Sequence, residues 1–161
     1  IESQTMVVYT LFIVNKAGGL VYHKNFTSKG RKIGGNECLY MASLFHALHL
    51  NASSLSPVKN TDFGTPPKGI ETILTDSFRL ECLRTLTGAK FIITADPDAD
   101  YLKELLREIY IIYTDYVLKD PFYVVEMPIR LQNFDQKVVA HVGDFSASTR
   151  GEMKSPTHLR R

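Results

Sequence analysis

The chain has 161 residues, of which 44% are hydrophobic and 22% are charged, and its formal net charge is +2. This apolar fraction is sufficient for one well-buried core and excludes a disordered or fibrous class. Because the 19 basic residues face 17 acidic ones, charge gives no electrostatic case for a nucleic-acid partner. Two widely separated cysteines and no secretory signal favour reduced thiols in a cytosolic setting.

The N-terminal part of the chain predicts a β-hairpin. An apolar run over Met6–Val14 indicates a central strand that is buried on both faces. Gly18 and Gly19 then allow a tight turn, and β-type residues resume over Leu20–Phe26. Residues 1–5, which precede this hairpin, are interpreted as a non-native addition outside the domain.

The next element is a helix that follows the glycine-rich loop Thr27–Gly35. Asn36 is expected to cap this helix, which should end near Ser54, before the proline-containing loop Ser56–Gly69. The buried face is predicted from apolar residues at helical spacing, namely Cys38, Met41, Phe45, Leu48 and Ala52. The helix is therefore expected to have one buried face.

Three β-type runs come next, over Ile70–Asp76, Ser77–Leu86 and Ala89–Ala95, and short turns join them. In the middle run, apolar residues such as Cys82 alternate with charged residues such as Glu81. This period of two is the pattern of a strand with one buried face. We therefore expect a meander of three strands, in which Cys82 faces the core and Glu81 does not.

A long second helix is predicted after the meander. Asp96 is expected to be its N-cap, with Pro97 at the first helical position. An unbroken apolar stripe over Leu102–Val117 indicates its buried face. Pro121 has no backbone N–H and disfavours helical geometry in the residue before it, so the helix should end near Lys119.

The last predicted element is a shorter third helix over Leu131–Val142, so that the domain comprises residues 6–142. Residues 143–161 have little apolar content and are expected to form a flexible tail. The order of elements is then ββαβββαα. It predicts an α/β three-layer sandwich, in which a five-stranded antiparallel sheet carries one helix on one face and two on the other. The first strand is expected in the centre.

No group of residues has the pattern of an active site. Asp96, Asp98 and Asp100 lack the glycine and the glutamate that a calcium-binding loop needs at later positions. His46 and His49 have no further metal ligands at a recognisable spacing, and we expect both to be partly exposed beside the core. We therefore predict no catalytic residue, no metal and no cofactor.

The segment KDPFYVVEMPIR, Lys119–Arg130, is the strongest candidate for contact with other proteins. Its two prolines predict an extended connector, from which Val124 and Met127 pack inward. Glu126 and Arg130 are interpreted as a polar pair that either ties the connector to its own domain or belongs to a docking edge. The candidate contact residues are Asp120, Phe122, Tyr123, Glu126, Met127 and Arg130, together with Tyr110 on the second helix.

Several segments, in the same order, resemble the synbindin-like subunits of the TRAPP vesicle-tethering complex, members of the longin-like family. They include VNKAGGLVYHKNF, TLTGAKF and KDPFYVVEMPIR, within a resemblance that runs from about Met6 to Val142. The resemblance implies the longin-like fold, with the order of elements predicted above. Family members often carry a large insertion after the second strand or after the first helix. This chain has only loops at both places, which suggests a minimal form.

The resemblance also implies what the chain does. Such subunits assemble with other longin-like and Bet3-like subunits into a core that is a guanine-nucleotide exchange factor for a Rab GTPase. We therefore expect a structural, Rab-docking and non-catalytic subunit in vesicle transport between the endoplasmic reticulum and the Golgi. It would be cytoplasmic and peripheral at both membranes, with no small-molecule substrate. The alternative is a longin-type regulatory domain of a SNARE or of a cargo adaptor.

Overall fold

A computed structural model describes residues 6–27, 32–58 and 67–152. The strands are β1 (Val8–Val14), β2 (Leu20–Asn25), β3 (Thr72–Leu74), β4 (Arg79–Arg84) and β5 (Lys90–Ala95). The helices are α1 (Gly35–Ser54), α2 (Leu102–Tyr113) and α3 (Gln132–Glu152), and a π-helical turn over Thr114–Leu118 continues α2. The predicted order of strands and helices is confirmed.

The five strands form one antiparallel sheet in the order β2-β1-β5-β4-β3. β5 is the central strand, so the prediction that the first strand is central was wrong by one position. Both β1 and β5 are almost continuously buried, because each is paired on both edges and covered on both faces. An apolar run therefore identifies an interior strand but does not distinguish between two neighbouring ones.

Helices cover both faces of the sheet, which confirms the three-layer arrangement. On one face α2 and α3 enclose the larger core, to which β1 and β5 contribute Leu11, Ile13, Phe91 and Ile93. On the other face α1 encloses a smaller core, to which the same strands contribute Phe12, Val14 and Ile92. The alternation of side chains along β1 and β5 thus supplies both cores.

The face that α1 turns to the sheet is rotated from the predicted one, although Cys38 and Phe45 are buried as expected. Its buried residues are Cys38, Ala42, Phe45 and His49. Met41 is 49% exposed and Leu48 is 48% exposed, so two of the expected core residues face outward. Gly34, not Asn36, precedes the first helical residue. The small side chains of Cys38 and Ala42 allow α1 to pack closely on the sheet, and this packing decides which face is buried.

α2 begins later than predicted, at Leu102, after Tyr101 in the left-handed conformation with φ 61°. Asp96 does not cap it. Instead the carboxylate of Asp96 accepts the backbone N–H of Val7 at 2.7 Å and the hydroxyl hydrogen of Tyr9. These bonds tie the end of β5 to the start of β1. The predicted stripe is buried, and the helical segment ends at Leu118, as expected.

β4 departs from the predicted alternation at Glu81, which is only 1% exposed. The carboxylate accepts hydrogen bonds from Arg79 Nε at 2.9 Å and from Thr72 Oγ1 at 2.8 Å. Arg79 also donates to the carbonyl oxygen of Ala99 at 3.2 Å. A buried carboxylate is thus compensated by an ion pair that sequence alternation alone does not show.

The C-terminal helix is longer than expected. α3 continues to Glu152, whereas the predicted tail began at Gly143. The remainder of that tail, 153–161, lies outside the described residues, as do residues 1–5. None of the described helices combines the length and the apolar character that a membrane span requires.

Candidate protein-interaction surfaces

The connector, residues 119–130, is attached to the sheet through Ile129. The N–H of Ile129 donates to the carbonyl oxygen of Val21 at 2.7 Å, on the outer edge of β2. The Ile129 side chain is buried against the larger core. Because an edge strand leaves hydrogen-bonding groups unpaired, this contact both anchors the connector and covers part of the edge.

The connector consists of turns, so the prediction of an extended segment was wrong. The N–H of Tyr123 donates to the carbonyl oxygen of Asp120 at 3.3 Å, and the N–H of Met127 donates to that of Val124 at 3.2 Å. The carboxylate of Asp120 also accepts the N–H of Phe122 at 2.9 Å. Aspartate followed by proline is typical of such turns, because the aspartate side chain bonds the backbone and proline presets φ.

Tyr123 closes the second half of the connector. Its hydroxyl donates to the carbonyl oxygen of Met127 at 2.8 Å, while its ring packs against the larger core. Burial raises the pKa of Tyr123, and the neighbouring carboxylate of Glu126 adds to the effect. The hydroxyl therefore stays protonated at neutral pH and remains a donor within the loop.

The connector turns its other apolar side chains to the solvent. Phe122 is 91% exposed, Val124 is 67% exposed and Met127 is 56% exposed, and Val125 is exposed as well. Val124 and Met127 were predicted to pack inward, and that prediction was wrong. Ile129 takes the inward position instead, with its side chain in the larger core. The connector thus presents an exposed apolar patch, Phe122, Val124, Val125 and Met127.

The two charged residues of the connector do not form a pair with each other. Glu126 Oε1 lies 3.3 Å from Lys16 Nζ, and Asn15 Nδ2 donates to the carbonyl oxygen of Glu126 at 3.3 Å. Glu126 adopts a left-handed backbone conformation with φ 72°, which these contacts stabilise. Glu126 thus ties the connector to the β1–β2 turn, whereas Arg130 is exposed and forms no ion pair with a described carboxylate.

Tyr110 belongs to the packing of the larger core and is not part of the connector surface. Its ring lies edge-on to Phe91, with centroids 5.7 Å apart, and stacks on Tyr113 at 6.4 Å. Half-buried in this aromatic cluster, Tyr110 contributes to the packing of α2 on the sheet. The other candidate residues, from Asp120 to Arg130, share one surface loop.

A second exposed apolar surface was not predicted. The α1 face consists of Tyr40, Met41, Leu44 and Leu48, which are all exposed and lie along one side of the helix. Leu39 and Leu50 are exposed on its flank. The signal was present in the sequence, because a helix that is apolar on more than one side is not accounted for by one buried face.

The α1 face continues into an apolar groove between the N-terminal half of α1 and the sheet. The groove has a volume of about 880 Å³. Phe12 and Ile92 line the sheet side, beside a hydrogen bond of 2.6 Å between the hydroxyls of Thr10 and Thr94. Tyr40 and Met41 belong to both the groove and the α1 face.

The two cysteines of the domain are buried thiols. Burial raises the pKa of Cys82 to about 12, and it also raises the pKa of Cys38, so both thiols stay protonated at neutral pH. Among the described residues, no three histidine, cysteine, aspartate or glutamate side chains are grouped as metal ligands. The features available for recognition are therefore the connector, the α1 face and the groove.

Comparison with known proteins gives consistent matches. The family model described as "Sybindin-like family" matches residues 8–144. The chain is 45% identical over 133 residues to "Trafficking protein particle complex subunit 4" of Dictyostelium discoideum, a match that covers 83% of this chain and 94% of that protein. It is also 28% identical over 130 residues to subunit 1 of the same complex in that organism, covering 80% of this chain and 89% of that protein.

The match to the human protein with the subunit 4 name is shorter. The two are 47% identical over 107 residues, which is 66% of this chain and 46% of the human protein, so the chain spans about half the length of that relative. Among solved structures, one described as "MglB with tetrameric arrangement" has a TM-score of 0.49 at 10% identity, covering 88% of this chain and 82% of that one.

Proposed function

The chain belongs to the Sybindin-like family, and on that basis we propose that it is a non-enzymatic subunit of a trafficking protein particle complex. The observation that carries the proposal is the match to the Dictyostelium subunit 4, which extends over nearly all of that protein. The predictions made from resemblance led to the same family. The family match over residues 8–144 includes the connector. The exposed apolar side chains of the connector do not contribute to packing of the core, so we attribute them to contact with another protein.

The two apolar surfaces support a role in assembly. Large apolar side chains that lie together on a surface commonly mark contacts with other proteins. In this domain they are concentrated on the α1 face and on the connector, while both cores are well buried. A subunit with neighbours on two sides would bury both of these surfaces in contacts with them.

The two surfaces differ in chemistry, and we assign them different partners. The α1 face is apolar and adjoins an apolar groove, which suits a permanent contact with another longin-like or Bet3-like subunit. The connector combines apolar side chains with charged ones, Asp120, Glu126 and Arg130, which suits a transient contact with a Rab GTPase. The chain then contributes a docking surface, not a chemical step, to guanine-nucleotide exchange by the complex.

This role implies a location. As part of a complex in vesicle transport, the chain would act in the cytoplasm, at the surface of endoplasmic reticulum and cis-Golgi membranes. Contact with the membrane would be made through the assembled complex.

The GTPase assignment is tested by measuring Rab nucleotide exchange on a reconstituted complex. Arg130→Glu reverses the exposed charge of the connector and is expected to lower the exchange rate by about tenfold, as loss of a docking hot spot does. Glu126→Lys breaks the tie to Lys16 and should have a similar effect, because it releases the loop. Lys103→Glu, which reverses an exposed charge on α2 outside the connector, is the matched control. Full exchange activity of the Arg130→Glu complex would remove the connector from the GTPase site.

A further inference from the structure

The interface between α1 and the sheet contains an unusual concentration of basic side chains. His46 and His49 belong to α1, Lys90 belongs to β5, and His23 of β2 lies beside Phe12 with ring centroids 5.1 Å apart. In the described ranges, none of these four side chains forms an ion pair with a carboxylate. Such an interface is stable only while most of its basic groups carry no charge.

Burial lowers the pKa of Lys90, and while Lys90 carries its charge, His46 must be neutral to make the observed contact. Lys90 Nζ lies 3.0 Å from His46 Nδ1, and an ammonium group can donate to that nitrogen only if it carries a lone pair. A second proton on His46 would remove the acceptor and place two positive charges in contact. Burial lowers the pKa of His46, and the charge of Lys90 lowers it further.

His49 was expected to be partly exposed, and that prediction was wrong, since only 3% of the residue is exposed. Neither of its ring nitrogens has a well-formed hydrogen bond among the described residues, although the nearby backbone of Ile70 acts to raise its pKa. Burial lowers its pKa, and the positive charges of Lys90 and Arg84 lower it further. A protonated His49 would therefore be a buried charge without a counterion.

Glycine backbone packs closely against both imidazoles, of which His49 is buried and His46 is partly exposed. A Cβ on Gly69 would lie 2.9 Å from the ring of His49, and a Cβ on Gly18 would lie 2.8 Å from that of His46. The two glycines come from the β1–β2 turn and from the segment before β3. Two separate parts of the chain thus pack against the α1 histidines.

The other titratable groups at this interface do not supply a compensating negative charge. Cys82 of β4 is a neutral thiol, because burial raises its pKa to about 12. Glu71, before β3, pairs with Lys68 at 3.0 Å, and Glu37 accepts the N–H of Gly34 at 3.3 Å at the start of α1. From β4 and β5 the charged groups that face the histidines are Arg84 and Lys90, which are both positive.

We propose that His46, His49 and Lys90 form a proton-sensitive attachment of α1 to the sheet. When the two imidazoles take up protons, α1 separates from the sheet, while the five strands and the layer of α2 and α3 remain folded. The larger core, which holds α2 and α3, contains none of these groups. Acidification would thereby disorganise the α1 face and leave the connector in place. The inference concerns the fold and does not depend on the proposed assembly.

The test is amide hydrogen exchange of the full chain at about pH 7.5 and about pH 5.5, on either side of the ordinary histidine pKa. After correction for the intrinsic pH dependence of exchange, we expect protection within α1 to fall at least about tenfold at the lower pH, a change of about 1.4 kcal/mol. Protection within β5 should stay the same. The proposal is overturned if α1 stays equally protected, or if β5 loses protection to the same extent.

Variants test whether the loss of α1 protection at low pH is caused by protonation of His46 and His49 or by other effects of acid. His46→Gln with His49→Leu should keep α1 equally protected at both pH values, and His141→Gln, which alters a histidine beside Glu108, should behave as the unaltered chain. Loss of α1 protection in the double variant as in the unaltered chain would overturn the proposal. If the double variant does not fold, α1 protection is measured at both pH values in His46→Gln alone. The histidine ring signals of the unaltered chain are also followed by NMR as the pH is lowered. Ring signals of His46 and His49 that titrate at the ordinary pKa with α1 intact would also overturn it.

Discussion

The backbone N–H of Ile129 donates to the carbonyl oxygen of Val21 at 2.7 Å, so the connector is bound to the outer edge of β2. The Ile129 side chain is 7% exposed and fills a position in the larger core. A loop with an exposed apolar patch is thus held at one end by a residue that belongs to the core. Substitution of Ile129 can therefore weaken the attachment of the connector without changing its exposed apolar patch.

Ile129→Ala should lower the free energy of unfolding by about 2 to 4 kcal/mol, because it removes buried apolar atoms and leaves a cavity. Val125→Ala, in the exposed part of the same loop, should change that free energy by less than about 0.5 kcal/mol. Urea unfolding of both variants measures the difference. Equal effects of the two substitutions would show that Ile129 does not anchor the connector.

Arg79→Met should be more destabilising than the exposure of the arginine suggests. It leaves the buried carboxylate of Glu81 without its guanidinium partner, at a cost of about 3 to 5 kcal/mol in the free energy of unfolding. Arg79→Met combined with Glu81→Leu should regain much of that loss, because no unpaired charge is then buried. Urea unfolding distinguishes the two. The explanation fails if the double variant is no more stable than Arg79→Met alone.

The free energy of unfolding should fall as the pH is lowered below about 6.5, the ordinary histidine pKa. Burial lowers the folded-state pKa values of His23, His46 and His49, so in this range the unfolded chain binds more protons than the folded chain. The histidine contribution is complete above that pH and is lost as the pH falls towards the folded-state values. Urea unfolding at several pH values should show a shallower dependence for His46→Gln. An identical dependence would exclude His46 as a contributor.

The sequence predicted the strands and helices well because each has a strong local pattern. The apolar runs of β1 and β5, the stripe of α2 and the prolines after it all act over short distances in the chain. They were sufficient for the order of the elements and for the three layers. Resemblance to the Sybindin-like family rests on the same kind of local information.

The errors arose where a partner distant in the chain determines the outcome. Asp96 has the sequence of a helix cap, but it bonds Val7, just before β1, and Tyr9 of β1 instead. Glu81 has the place of a solvent-facing residue, yet Arg79 and Thr72 stabilise it in the interior. Which face of α1 is buried depended on how closely the helix approaches the sheet, and so the exposed α1 face was missed.

The α1 face and the connector can be separated by paired substitutions. Leu44→Ser with Leu48→Ser should leave the fold intact but reduce incorporation of the chain into the complex at least about tenfold, because both side chains are exposed and would be buried by a neighbouring subunit. Phe122→Ser, on the connector, should be incorporated normally and lower Rab exchange. Quantitative pull-down and exchange assays on the same preparations measure both effects. If Phe122→Ser instead reduced incorporation, and the Leu44→Ser, Leu48→Ser variant lowered only Rab exchange, the partners assigned to the two surfaces would have to be exchanged.

The most direct test of the central claim is co-expression of the tagged chain with the other subunits of a trafficking protein particle complex, followed by size-exclusion chromatography. If the chain is such a subunit, it should co-elute with them in a fixed stoichiometry, and it should self-associate or be poorly soluble when expressed alone because both apolar surfaces are then exposed. A chain that elutes as a stable monomer and binds none of those subunits would contradict the proposed function.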